Sequence, residues 1–258
     1  MAYLEISGIT TWYSEQGEGE PLLLLHGGVA ASFYSHGSGM VDALAKHFRV
    51  YCMARRAHGF THDPGGPITY DAMAADTIAF LEAIDRGPAH LVGYSDGANV
   101  AMLVAMRRPD LVRRVALLSG NFHYSALMEA VADVSAVADG AAEACAVWYD
   151  ANSPSGPGHA QDLAKRMSAE WAQAPTLTEA DLATISAHTL VMGADDDMIP
   201  VNHFVAQYRA IPHSELAILP NTSHIFASEK PALVHGLLLD FLSKEPTPTM
   251  WPVRRAAH

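Results

Sequence analysis

The chain has 258 residues, 50% of them hydrophobic and only 17% charged, which excludes a disordered polymer, whose composition is poor in apolar and rich in charged residues. Twenty-eight acidic against 16 basic side chains give a formal net charge of -12, which excludes the basic footprint of a nucleic-acid binder. This length makes one large domain or two small ones.

Residues 3–14 alternate weakly and are rich in Thr, Tyr and Ile, predicting one or two strands. Gly17-Glu18-Gly19-Glu20-Pro21 is a turn, and Leu22-Leu23-Leu24-Leu25 reads as a strand buried on both faces, the mark of a parallel sheet. Helices are predicted over 40–48, 70–84 and 97–106, and strands over 50–53, 91–93 and 115–118. From Phe122 to about residue 187 the alternation stops, giving way to three helical stretches separated by the loop 152–158 and by Pro175-Thr176. It resumes with strand 189–192, helix 201–209, strand 216–219 and helix 231–242. Repeated strand–helix alternation predicts an α/β fold. The expected division is a core of 1–121 and 187–244, a helical lid of 122–186, and a Pro-rich extension of 245–258.

The remaining composition narrows the context. Cys52 and Cys145 belong to no CxxC pair and need not be bridged. Met1-Ala2-Tyr3-Leu4-Glu5 lacks a charged region followed by an apolar one, so no signal peptide is expected and a cytoplasmic location is. No apolar run approaches the roughly 18 residues of a membrane span, so no membrane partner is expected.

Gly93-Tyr94-Ser95-Asp96-Gly97 matches G-x-S-x-G, after a predicted buried strand and at the start of a predicted helix. That context is what the motif needs. The serine sits on a sharp, strained turn, and the glycines let strand and helix pass closely. A serine needs a base, an orienting acid and an oxyanion hole to become a nucleophile. Here the chain resembles the α/β-hydrolase superfamily, from about residue 3 to residue 242. The resemblance implies an eight-stranded, mostly parallel sheet, with the acid and then the histidine following the serine, each on a loop after a late strand.

The resemblance therefore puts the acid in the loop after strand 189–192, Gly193-Ala194-Asp195-Asp196-Asp197-Met198-Ile199-Pro200. The family spacing G-x-x-D-x-x-x-P selects Asp196, with Asp197 second and Asp195 third. Among fourteen histidines, His224 in Pro220-Asn221-Thr222-Ser223-His224 takes the place of the base. Leu25-His26-Gly27-Gly28-Val29 resembles the family's H-G-x loop, which implies an oxyanion hole of the Gly28 and Asp96 N–H groups; His26 shapes that loop. Ala54-Arg55-Arg56-Ala57-His58-Gly59 keeps only part of the family's D-x-R-G-H-G, with Ala at the Asp and at the first Gly.

These residues imply acyl transfer, and an aspartate-nucleophile dehalogenase or epoxide hydrolase does not fit Ser95. The leading expectation is a hydrolase of carboxylic esters or lactones, with a small-molecule ester-type substrate, no cofactor and no metal. A C–C bond hydrolase, an amidase and a weakly catalytic ligand receptor of the same fold remain alternatives. Asp96 carries two readings. The Ser-Asp-Gly elbow resembles the valacyclovir-hydrolase-like branch, where that acid helps recognise an ammonium group; alternatively, the carboxylate merely favours a helix N-terminus. Phe122, His123, Tyr124 and Trp148 are the expected substrate contacts, because the first three leave a strand at the catalytic edge. His58, His62 and Asp63 are read as loop residues rather than a metal site.

Overall fold

A computed structural model describes residues 2–29, 38–245 and 249–251. The core is one eight-stranded sheet in the order β1-β2-β4-β3-β5-β6-β7-β8. Its strands are β1 (Ala2–Ile6), β2 (Ile9–Gln16), β3 (Pro21–Leu25), β4 (Arg49–Met53), β5 (Ala89–Tyr94), β6 (Val112–Leu118), β7 (His188–Asp196) and β8 (Ser214–Ser223). β1 and β2 form an antiparallel hairpin that joins β4 antiparallel; every other pairing is parallel.

The leucine run shows why the sheet is covered on both sides. Side chains alternate across a strand. Leu23 and Leu25 therefore enter the cluster holding Met73, Phe80 and Val100, from α2 (Tyr70–Ile84) and α3 (Asp96–Arg107). Leu22 and Leu24 enter the opposite cluster, with Leu44 of α1 (Met40–Leu44) and Leu238 of a C-terminal helix. All four leucines are buried. Thr69 caps α2, its hydroxyl accepting from Ala72 N–H at 3.2 Å, where a β-region residue meets the orphan donors of a first turn.

Between β6 and β7 lie four helices rather than the three expected: α4 (Ser125–Ala130), α5 (Val134–Asn152), α6 (His159–Trp171) and the single turn α7 (Glu179–Leu182). The additional helix comes from the first expected stretch, which breaks at residues 131–133: Val131 is extended, and Asp133 caps α5 by accepting from Ser135 N–H. The stretch after Pro175-Thr176 is α7, opened by the capping box of Thr178 and Asp181. The core closes with α8 (Val201–Ala210), α9 (Phe226–Glu229) and α10 (Pro231–Ser243). Of the Pro-rich extension, residues 246–248 and 252–258 lie outside the described residues.

The tightest packing is where β5 turns into α3. A Cβ on Gly97 would overlap the carbonyl oxygen of Leu25 on β3, which is backbone and cannot move aside. Gly97→Ala is expected to destabilise the protein by at least about 2 kcal/mol, read from the midpoint of urea unfolding. A second expectation concerns acid. His58 is fully buried and neutral, with burial, aided by the charge of Arg55, holding its pKa down at about 3. An unfolded histidine protonates near pH 6.5. The stability from neutral His58 is therefore complete above about pH 6.5 and is lost as pH falls towards the native value. His58→Gln should flatten the dependence of the urea midpoint on pH between about 7 and 5.

Candidate active site

Ser95 stands between the end of β5 and the first residue of α3, at φ 53° and ψ −121°. That is a strained conformation for a residue with a Cβ, and it is held from both sides. Ser95 N–H donates to Leu118 O on β6 at 2.8 Å, and Ser95 O accepts from Ala98 N–H at 2.8 Å. The reversal lifts the hydroxyl above the carboxyl ends of the strands, where Ser95 Oγ lies 3.0 Å from His224 Nε2.

His224 follows β8 and is fixed by more than the serine. Tyr94 Oη–H donates to the His224 carbonyl at 2.6 Å, and the two rings pack 5.3 Å apart. Its Nδ1 lies 2.7 Å from a carboxylate, and the carboxylate is Asp197 Oδ1. This corrects the expected Asp196. β7 runs on through Asp196, and its pairing with β8 shifts register between Ala194 and Asp196. The extra residues of that shift are on β8, where Leu219 to Ser223 spans what Ala194 to Asp196 spans on β7; Asp195 is tied to this turn, and Asp197 is the aspartate that reaches His224. Asp196 is left exposed, while the Asp197 side chain is fully enclosed. Asp195 serves the same loop differently, accepting from Asn221 N–H at 2.7 Å and Thr222 N–H at 3.1 Å and so tying β7 to the histidine turn.

Burial pushes the Asp197 carboxyl up. Hydrogen bonds from His224, from the Ser119 hydroxyl and from Ile199 N–H outweigh that and hold its pKa below the ordinary carboxylate value. Ser119 was not foreseen. It sits directly after β6 at φ 50°, with its hydroxyl on Asp197 Oδ2. The signal available was its position at the carboxyl end of a central strand, next to the strand that carries the acid.

The loop after β3 is arranged around Arg55, which is wholly buried. Arg55 Nη2 donates to His26 O at 2.7 Å and to Gly27 O at 2.9 Å. In a trans peptide the N–H points opposite to the C=O. The Gly27 carbonyl turned to Arg55 therefore turns the Gly28 N–H away from it. The Asp96 N–H, at the first position of α3, has no partner within its helix. Both Gly28 and Asp96 line the cavity that holds Ser95 and His224. His26 accepts from Arg55 N–H through Nε2 and so carries its proton on Nδ1, bonded to Gly27 O. It shapes the loop, as expected of it.

The Asp96 side chain is 4% exposed and already engaged. Tyr70 Oη–H donates to Oδ1 at 2.7 Å, and Trp171 Nε1–H reaches Oδ1 at 3.0 Å and Oδ2 at 2.9 Å. Gly28 must be glycine for this to exist, because a Cβ there would overlap Asp96 Oδ2. The insertion is tied down nearby. Glu170 Oε1 accepts from Tyr70 N–H at 2.9 Å, and Tyr149 Oη–H donates to Val29 O at 2.8 Å.

The cavity has a volume of about 300 Å³. Val137, Ala141, Ala144 and Cys145 of α5 line it, with Trp171 and Ile199 among the other walls. None of the four expected substrate contacts does. Phe122 stacks on His203, 4.1 Å between ring centroids, and donates its N–H to His203 Nε2. His123 pairs with Thr176 and Ser125, and Tyr124 N–H bonds Pro175 O. Trp148 lies one helical turn beyond the cavity, edge-on to Phe60 at 5.0 Å. The physical reason is that the chain turns away after Asn121: the strand exit contributes Ser119 and Asn121, and the next residue to line the cavity is Leu127 of α4. His58 spends both ring nitrogens on backbone, at Val29 N–H and Arg56 O, and Asp63 is paired with Arg166. Asp63, His159 and Asp162 draw together near it, and the Arg166 guanidinium already sits on both carboxylates.

The Alpha/beta hydrolase family model matches residues 22–237, and the chain belongs to that family. It is 27% identical to a 2-hydroxy-6-oxo-2,4-heptadienoate hydrolase of Pseudomonas putida, over 92% of this chain and 94% of that one. It is 34% identical to an (E)-2-((N-methylformamido)methylene)succinate hydrolase of Acinetobacter baylyi, over 44% of this chain and only 42% of that protein. Among solved structures, MGS-M2, an alpha/beta hydrolase enzyme from a deep-sea metagenome library, superposes with a TM-score of 0.82 at 16% identity, covering 97% of this chain and all of that one.

Asp197→Asn is expected to lower kcat on any turned-over ester by about 10⁴-fold, since the amide stabilises the wrong histidine tautomer. Asp196→Asn should leave it within a few-fold of the parent. Steady-state kinetics on the two variants distinguish them.

Proposed function

We propose that this hydrolase cleaves a carboxylic ester or lactone through an acyl-enzyme on Ser95. The observation that supports the reading is the unbroken relay from Ser95 Oγ through His224 to Asp197, with spans of 3.0 and 2.7 Å. Ser95 attacks the carbonyl carbon while His224 Nε2 takes its proton. Asp197 holds the Nδ1 proton in place and stabilises the imidazolium that forms. The N–H groups of Gly28 and Asp96 take the developing oxyanion, pre-set by Arg55 on one side and by the helix start on the other. The tetrahedral species collapses, the C–O bond breaks, and His224 returns its proton to the leaving alkoxide. A water activated by His224 then attacks the acyl-enzyme and releases the acid. Residues 122–186 act in this reading as a lid, anchored to the core through Tyr149, Glu170 and Trp171.

The Pseudomonas putida relative favours a second reading. Its name is that of a dienoate hydrolase, and its similarity extends over 92% of this chain. In that case the same relay would break a C–C bond, with a carbanion or its enol in place of the alkoxide.

A fluorophosphonate probe should label the protein at Ser95, and Ser95→Ala should abolish the labelling. A panel of aliphatic p-nitrophenyl esters, simple lactones and a 2-hydroxy-6-oxo-dienoate then separates the readings. Turnover of esters or lactones, with the dienoate inert, is expected. Turnover of the dienoate alone would replace this reading with the second, and absence of both labelling and turnover would refute a serine hydrolase.

A further inference from the structure

The wall of the cavity constrains the charge of what enters it. None of its described lining residues is a lysine or an arginine, and the carboxylate among them is Asp96. That charge is already compensated. Tyr70 and Trp171 donate to it, and the buried Arg55 guanidinium faces it electrostatically from beneath the loop after β3. The opposite wall is apolar, with Val137, Ala141, Ala144 and Cys145 recurring at helical spacing on α5.

The surroundings are acidic. Residues 122–186 carry nine acidic side chains against the bases Lys165 and Arg166. α5 itself carries Asp139, Glu143 and Asp150, all exposed, and no basic residue.

A substrate carboxylate entering this space would shed water and find no cation to replace it, a cost of several kcal/mol for an unpaired charge. It would also approach through a repulsive field. An ammonium group would approach favourably but would find the Asp96 carboxylate committed. We infer that the site takes uncharged acyl compounds and rejects carboxylate-bearing ones, with the Val137–Ala141–Ala144–Cys145 face of α5 as the wall against which an aliphatic acyl chain lies. The inference rests on the proposed acyl transfer at Ser95 and names its substrate class.

The test compares kcat/KM for three p-nitrophenyl esters of similar acyl length: the hexanoate, the hydrogen adipate and the ω-aminohexanoate. The adipate is expected to be at least about 100-fold poorer than the hexanoate, with the aminohexanoate between them. Added salt should narrow the adipate deficit by screening the exposed acids. Ala144 is exposed at the rim, so Ala144→Arg should fold and should improve the adipate relative to the hexanoate by about ten-fold. Equal turnover of adipate and hexanoate, or an aminohexanoate faster than the hexanoate, would overturn the inference while leaving acyl transfer at Ser95 intact. Hydrolysis of none of the three, with no fluorophosphonate labelling, would remove the acyl-transfer reading itself.

Discussion

The Asp96 carboxylate is buried at the root of α3, one residue after the nucleophile position. Removing such a charge from water costs several kcal/mol unless good donors replace the water. The replacements come from distant parts of the chain: Tyr70 at the start of α2 and Trp171 at the end of α6. Satisfying one anion therefore pins the first helix pair and the insertion to the turn that carries Ser95. The demand extends further, since the loop after β3 can approach only because residue 28 lacks a Cβ. Arg55 completes the balance. Burial pulls its pKa down and the Asp96 charge opposes that, while its own hydrogen bonds go to the carbonyls of His26 and Gly27. The turn, the oxyanion loop and the insertion are thus parts of one electrostatic arrangement, and the geometry of each depends on the others being in place.

The parts of this arrangement that were legible in the sequence are those set by local sterics. A strand that reverses into a helix over one residue needs glycines on either side, so the elbow is written at Gly93 and Gly97. A strand buried on both faces needs an unbroken apolar run, so β3 is written in four leucines. His224 could be read because it follows a recognisable last strand. The acid was missed by one residue, because the choice among three adjacent aspartates is set by the pairing of β7 with a bulged β8, which no single-strand pattern contains. Ser119 and Tyr70 were missed because each acts through a partner distant in sequence, Asp197 and Asp96.

The cavity wall failed for a related reason. Aromatic residues after β6 were expected to line it because they leave the sheet at the catalytic edge. Leaving an edge fixes where a segment starts and not where it faces. Phe122 finds a flatter and drier partner in the ring of His203, whose pKa burial holds down at about 4. The space beside Ser95 is filled instead by small residues of α5, whose significance lies in what they leave empty. Alanines carry no sequence signal for a pocket; only the packing of α5 over the carboxyl ends of the strands gives them one.

This places selection and chemistry on different parts of the chain. The groups proposed to make and break bonds all stand at the carboxyl ends of core strands or at the start of α3, where the sheet fixes them. Much of the apolar wall of the cavity belongs to the insertion, which meets the core through hydrogen bonds, the Arg166–Asp63 ion pair and apolar packing. Val137, Ala141, Ala144 and Cys145 can change without touching the hydrogen bonds of Tyr149, Glu170 and Trp171 that pin the insertion to the core. The same separation gives meaning to the chain's net charge of -12. Much of the excess lies on the insertion, above an opening whose lining includes no lysine or arginine among the described residues. Charge in that position acts on whatever approaches the cavity, before any contact with Ser95 is made.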